Sequence, residues 1–363
     1  MTATAENSKP TTVLVADDSA FMRTALTRMI ESEPSLRVSG TAQSGQEALD
    51  KIARLQPDVV TLDVEMPGLN GLETLKRIMK EFPRPVIMVS SLTQEGAETT
   101  LEALDLGAFD YLPKQSSFVS LDIVKIRAEL VAKIKAAADH RRRRPAPKTP
   151  PPTPALAPAP LRAAAVRVAP TIVALGTSTG GPKALQEILP MLPADLPVPV
   201  LIVQHMPIGF TGPFARRLDN LSKVNVREAT QEEPIEPGVV YIAPAGQHMT
   251  VNRRGASKAT VHLSPTPDNV LHIPSVDIMM LSVAEVFHSL AMGVIMTGMG
   301  ADGAKGMQAI ARVGGLTVGQ DEASCTVYGM PRTCAEMGIL QRVVSLHHIP
   351  NQILEAIHYK PRS

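Results

Sequence analysis

Between Pro145 and Pro160, eight of sixteen residues are proline. Each proline ring fixes φ and removes a backbone donor. Such a stretch can enter neither helix nor sheet, and it runs as an extended, semi-rigid spacer. Whatever folds in this chain must therefore fold on either side of it, and 363 residues leave enough chain for a core on each side. Pro150-Pro151-Pro152-Thr153-Pro154 is also compatible with a ligand for a proline-recognition module; the plain spacer is the preferred reading. The expected organisation is a first domain over 11–129, a helix end and spacer over 130–169, and a second domain over 170–360.

Both flanks alternate short apolar runs with helical patterns. Before the spacer, Thr12–Ala16, Asp58–Leu62, Pro85–Val89 and Phe109–Leu112 read as strands. Met22, Leu26, Met29 and Ile30 fall on one helical face, as do Leu72, Leu75, Ile78 and Met79. Ile123, Ile126, Leu130 and Ile134 predict a last amphipathic helix. After the spacer, Thr171–Leu175, Val198–Val203 and Val294–Met296 read as buried strands, with β-rich insertions around 224–273. This alternation predicts two α/β domains, each a doubly wound parallel sheet. No repeat of solenoid period occurs.

Composition removes several function classes. A formal net charge of +1 and 3% aromatic residues give no case for nucleic acid, and no apolar run is long enough for membrane insertion. The basic run Arg141–Arg144 reads as a solvated helix end, with an acidic partner surface as the alternative. Residues 1–10 lack the apolar core of a secretory signal, and Cys325 and Cys334 lack metal-type spacing. A cytoplasmic setting is the expectation. No helix-turn-helix pattern supports a transcription factor.

Three carboxylates are expected at the carboxyl edge of the first sheet: Asp17 and Asp18 after the first strand, and Asp63 at the end of Val59–Leu62. They repel one another unless a hard divalent cation is present, and Mg²⁺ suits such a set. Lys114, after the Phe109–Leu112 strand, would offer a point charge to a phosphoryl oxygen, and Ser90 a hydroxyl to the same group. Any one of these acids alone reads as a surface acid at a sheet edge; the five groups at strand ends together read as a phosphate acceptor.

In the second half, Gly176-Thr177-Ser178-Thr179-Gly180 fits Gly-x-Ser-x-Gly, a sharp strand-to-helix turn that exposes a serine hydroxyl. Such turns equally often cradle phosphate, but no Walker lysine follows. A hydroxyl nucleophile needs a base, and the base an orienting acid. His205 ends a strand, and Asp302 follows a Gly-rich loop after another. All three would lie at one sheet edge, in the chain order Ser, His, Asp. His205 could instead be a structural hydrogen bonder, Asp302 a helix cap, and His248 is a competing histidine. Gly298 and Gly300 flank Met299, whose amide could face an oxyanion.

The first segment resembles the receiver domain of two-component response regulators across its length, through Asp17-Asp18, Leu62-Asp63-x-x-Met66-Pro67, Ser90 and Lys114. The resemblance implies that Asp63 is phosphorylated by a sensor histidine kinase, and that Asp17, Asp18, Asp63 and the Glu65 carbonyl hold Mg²⁺. It also implies that Ser90 and Tyr111 form a switch pair. Gln115 departs from the family's usual proline after the lysine.

Residues 171–357 resemble the effector domain of chemotaxis protein-glutamate methylesterases. The matching segments are Gly176-x-Ser178-Thr179-Gly180-Gly181, Gln204-His205-Met206-Pro207, Tyr241-Ile242-Ala243-Pro244, Pro274-Ser275-Val276-Asp277, Thr297-Gly298-Met299-Gly300-x-Asp302-Gly303 and Gly329-Met330-Pro331-Arg332. The order receiver–linker–esterase also matches. The resemblance implies Ser178 as nucleophile, His205 as base, Asp302 as acid, Met299 as oxyanion donor and Thr179 as a positioning residue. It implies chemoreceptor glutamate methyl esters as substrate, with receptor glutamines as a second one. The competing expectation is a receiver-controlled binding module without catalysis.

Overall fold

The computed structural model describes residues 9–91, 93–114, 122–143, 168–254 and 258–360. The chain divides into two compact units, 1–141 with 207–214 and 142–206 with 215–363. The proline-rich stretch and Gln115 lie outside the described residues.

The first unit has five strands, β1 (Thr11–Ala16), β2 (Leu36–Ala42), β3 (Val59–Asp63), β4 (Val86–Ser91) and β5 (Asp110–Lys114). They alternate with helices α1 (Ala20–Glu31), α2 (Gly45–Leu55), α3 (Gly71–Glu81), α4 (Gln94–Asp105) and α5 (Asp122–Arg143). The strand order is β2-β1-β3-β4-β5, all parallel. This is a flavodoxin-like doubly wound sheet, as the alternation predicts. Val13, Leu14, Val59, Val60, Val86 and Ile87 are fully buried, which is why these strands read as continuous apolar runs. Helix starts follow side-chain caps: Ser19, Ser44, Asn70 and Thr93 each accept an amide from the first turn.

Helix α5 runs to Arg143, past the domain edge expected at 129. Buried Leu130, Ile134, Ala137 and Ala138 extend its apolar face. Arg141 donates to the carbonyls of Pro57 (2.8 Å) and Asp58 (3.1 Å), so the first residue of the basic run is an anchor rather than a solvated end.

The second unit holds a seven-stranded parallel sheet. In chain order its strands are β6 (Ile172–Thr177), β7 (Val200–Gln204), β8 (Asn225–Glu228), β9 (Val239–Ile242), β12 (Ala291–Ile295), β13 (Leu316–Gln320) and β14 (Arg342–Val344). Across the sheet the order is β14-β13-β12-β6-β7-β9-β8, a Rossmann-like arrangement. An antiparallel hairpin, β10 (His248–Arg254) and β11 (Lys258–Ser264), forms the inserted β structure. The helices are α6 (Gly181–Ile188), α7 (Thr211–Leu221, of which 215–221 belong to this unit), α8 (Val276–Phe287), α9 (Ala304–Arg312), α10 (Met330–Glu336) and α11 (Ile349–Ala356). Chain direction reverses on either side of β6, so its carboxyl end opens at a topological switch point, where such sheets place their sites. Among the described residues no helix is long and apolar enough to cross a membrane.

Candidate active site and acidic pocket

Ser178 occupies the turn between β6 and α6. Gly180 has φ +78°, and a Cβ there would meet Thr326 at 2.4 Å; a Cβ on Gly181 would meet Gln204 Oε1 at 2.0 Å. Only glycine fits either place. The β6–β7 register pairs Thr177 with Gln204, which makes Ser178 and His205 the next cross-strand neighbours. The His205 amide donates to the Thr177 carbonyl at 3.2 Å. Gln204 Nε2 donates to the carbonyls of both Ser178 (3.1 Å) and His205 (2.9 Å), so one buried amide ties together the two backbones.

His205 Nε2 lies 2.8 Å from Asp302 Oδ2. Asp302 also accepts from the Ser275 hydroxyl (2.8 Å) and from the amides of Val276 (2.7 Å), Asp277 (3.0 Å) and Gly303 (3.1 Å). Burial on its own would raise this carboxyl. The hydrogen bond from His205, with the Asp277 and Val276 amides, outweighs it and holds Asp302 well below the usual carboxylate range. An ionised carboxylate only accepts, so the His205 proton sits on Nε2. Nδ1 then carries the free lone pair, and it is buried with no hydrogen-bond partner. The amides that Asp302 receives come from the start of α8 and from its own loop, and α9 has no side-chain cap, so Asp302 is not a cap on that helix.

His248 is placed differently. Its Nδ1 accepts the Ser275 amide at 3.1 Å, which puts its proton on Nε2, 3.0 Å from the Pro267 carbonyl. Both nitrogens are engaged and the residue is buried, so no lone pair is left for a serine. The cysteine alternative also falls away, because burial pushes the Cys325 and Cys334 thiols up to about 12.

The Met299 loop lies against the nucleophile: a Cβ on Gly298 would meet Ser178 Cβ at 2.9 Å. Thr297 anchors that loop, its amide donating to Gln320 Oε1 (2.8 Å) and its hydroxyl to the Thr179 carbonyl (2.9 Å). Thr179 thus meets the site through its backbone.

Three residues at this site were not singled out from sequence as functional. Gln204 and Ser275 stood inside quoted motifs, and Ser275 begins the Ser-x-Asp pattern of a helix cap. His272 had no signal. Its ring stacks on that of His205, with centroids 4.0 Å apart and planes 17° from parallel.

In the first unit, Asp17, Asp18 and Asp63 each bring a carboxylate oxygen within 4.8 Å of the others. Lys114 Nζ lies 2.7 Å from Asp63 Oδ2 and 3.2 Å from Asp17 Oδ2. Those two buried oxygens receive no hydrogen bond beyond that ammonium. Burial raises the Asp63 carboxyl to about 6, although Lys114 pulls it the other way. At Lys114 burial works against the charge, but Asp63 and Asp17 win and its pKa rises. Burial therefore governs the acid and ion pairing the base. Crowded, under-coordinated hard oxygens are what a small divalent cation takes.

The expected companions are less uniform. The Glu65 amide donates to Asp63 Oδ1 at 3.1 Å, and its side chain accepts from Ser91. The Ser90 hydroxyl is buried and donates to the Gly96 carbonyl in α4 at 3.1 Å, so in this state it is directed to α4 and not to a phosphoryl position. Tyr111 is buried, with its carbonyl accepting from Lys133 and the Lys133 ammonium 5.0 Å from its ring centroid.

Residues 173–353 match the CheB methylesterase family model, and residues 13–124 the response regulator receiver domain model. A protein-glutamate methylesterase/protein-glutamine glutaminase of Symbiobacterium thermophilum is 48% identical over 96% of this chain and 98% of its own. One named protein-glutamate methylesterase/protein-glutamine glutaminase 2, from Nitratidesulfovibrio vulgaris, is 46% identical over 95% and 99%. The crystal structure of the Thermotoga maritima CheB methylesterase catalytic domain is 39% identical and superposes with a TM-score of 0.50, covering 52% of this chain and 99% of that one.

Proposed function

The chain belongs to the protein-glutamate methylesterase/protein-glutamine glutaminase family, and on that premise we propose that it hydrolyses glutamate methyl esters of chemoreceptors through Ser178, His205 and Asp302, under the control of Asp63 phosphorylation. It is a hydrolase of that family, and receptor glutamine amides are its second substrate. The observation that carries the mechanism is the pairing of His205 Nε2 with Asp302, which leaves Nδ1 without a hydrogen-bond partner on the residue that follows Gln204, as Ser178 follows its strand partner Thr177.

In this reading Ser178 Oγ attacks the ester carbonyl while His205 Nδ1 takes its proton. The carbonyl oxygen gains the negative charge and is met by the Met299 amide, a donor held by the anchored loop. The tetrahedral centre collapses, the C–O bond to methoxide breaks, and His205 returns its proton to release methanol. Water, deprotonated by His205, attacks the acyl-serine; the serine recovers its proton and glutamate leaves. With a glutamine the leaving group is ammonia and the steps are the same. Asp302 stays ionised throughout and stabilises the imidazolium.

Control is assigned to the acidic pocket. Asp17, Asp18, Asp63 and the Glu65 carbonyl would hold Mg²⁺, which supplies charge neutralisation for phosphoryl transfer to Asp63. Lys114 would then pair with the phosphoryl oxygens, and Ser90 would leave Gly96 to meet them, with Tyr111 as its partner in the switch. The phosphodonor is a sensor histidine kinase, and the setting is cytoplasmic. The test is methanol release from receptor membranes carrying labelled methyl esters, with and without a small-molecule phosphodonor and Mg²⁺. Release that requires Ser178 and rises with phosphodonor supports the reading. Release that persists in Ser178→Ala, or ignores the phosphodonor, overturns the corresponding half.

A further inference from the structure

The loop 265–275 carries two groups into the candidate active site, and one buried histidine spans it. His248 donates from Nε2 to the Pro267 carbonyl at 3.0 Å and accepts the Ser275 amide on Nδ1 at 3.1 Å. Its two ring nitrogens therefore clamp the loop near both ends. A third tie, from the Gly246 amide to the Ile273 carbonyl at 3.2 Å, lies between them. From this clamped loop the Ser275 hydroxyl reaches Asp302, and the His272 ring lies along the face of His205.

We infer that His272 is a positioning residue for the base: its stacked ring fixes the plane of His205 and offers a π face to the imidazolium that forms there. The inference rests on the proposed role of His205. Asp302 fixes one ring atom of His205, Nε2, but one hydrogen bond leaves rotation about its own axis open. A near-parallel ring at 4.0 Å closes that freedom, so that Nδ1 keeps its direction. As His205 takes the serine proton, its charge develops against the face of a neighbouring aromatic ring, an arrangement that favours the cation. Both effects need a flat, neutral aromatic ring, and neither needs a proton on His272. Substrate need not touch it.

The test uses the full-length protein and methanol release from labelled receptor membranes in the presence of phosphodonor and Mg²⁺, with wild type, Ser178→Ala, His272→Ala and His272→Phe. His272→Ala is expected to lower kcat about 10-fold with KM within about twofold of wild type. His272→Phe, which keeps the ring and discards the nitrogens, is expected to restore most of the loss. Full activity in His272→Ala overturns the inference. So does an equal loss in Ala and Phe variants, with equal falls in Tm, which would make His272 a loop-packing residue. In both of these cases inactive Ser178→Ala leaves the proposed nucleophile intact. Turnover in Ser178→Ala would instead remove that reading and this one together.

Discussion

Nε2 of His205, and not Nδ1, faces Asp302, at 2.8 Å from Oδ2. The orientation leaves the other ring nitrogen, Nδ1, buried without a hydrogen-bond partner. It also makes the acid's surroundings decisive, because Asp302 sits among donors only: a hydroxyl, three amides and an imidazole N–H. Asp302→Asn would push an amide –NH₂ against at least one of these donors and rotate or repel the ring. Methanol release should fall by roughly 10³-fold or more. Ser275→Ala removes one donor and leaves the ionised acid in place, so its loss should be roughly 10-fold at most. Equal losses for the two variants, measured on the same membranes, would contradict this ranking.

His248 and His205 should separate by stability. Replacing His248 with alanine strips partners from the Pro267 carbonyl and the Ser275 amide and opens a cavity in a buried place, a cost of about 2–4 kcal/mol. Thermal unfolding should show a clearly lowered Tm, with part of the methanol release surviving at low temperature. His205→Ala should abolish release and leave Tm near wild type. A His248→Ala protein that unfolds normally yet has no activity would move His248 into the chemistry.

The sheets were legible because fully buried parallel strands read as unbroken apolar runs. Val13–Ala16 and Ile172–Leu175 could be assigned that way, and sheet polarity then put Asp17, Asp63, Ser178 and His205 on the correct edges. What could not be read was anything set by loops. His272 lies 67 positions from His205 in a segment without period, and its loop is held by tertiary bonds such as those of His248. Ser275 could be read as a helix cap, and it is one; its second bond, to Asp302, depends on tertiary placement. Which ring nitrogen of His205 meets the acid is likewise a consequence of packing. Ser90 shows the same limit, since its position in β4 was clear but its hydroxyl turns to Gly96.

Asp63 should be the acceptor of phosphate from a small-molecule donor. In Mg²⁺ the wild-type protein should acquire an alkali-labile label, as expected of an acyl phosphate, and Asp63→Asn should acquire none. Lys114→Ala should still take the label, because the ammonium pairs with Asp63 and Asp17 without being the nucleophile. It should nevertheless lose the phosphodonor-dependent rise in methanol release. Alkali-stable label, or label retained in Asp63→Asn, would place the acceptor elsewhere.

The raised Asp63 carboxyl gives the first unit a pH-dependent stability of definite sign. An unfolded aspartate titrates near 4, whereas burial lifts Asp63 to about 6. Between those values the folded chain holds a proton that the unfolded chain has lost, so stability falls as pH rises through the interval. Below it both states are protonated and the group is silent. Above it the folded state carries a buried charge that Lys114 only partly offsets. Asparagine imitates the protonated acid at every pH. Asp63→Asn should therefore raise Tm at pH 7.5, by roughly 5 °C, and give little or no gain at pH 4. Mg²⁺ should raise the wild-type Tm at pH 7.5, since a cation bound by Asp17, Asp18 and Asp63 favours the ionised state, and it should narrow the gap to the variant. The measurement is calorimetric unfolding of the full chain, reading the transition that Mg²⁺ moves. A variant less stable than wild type at pH 7.5 without Mg²⁺ would mean that the Lys114 ion pair, and not burial, dominates at Asp63.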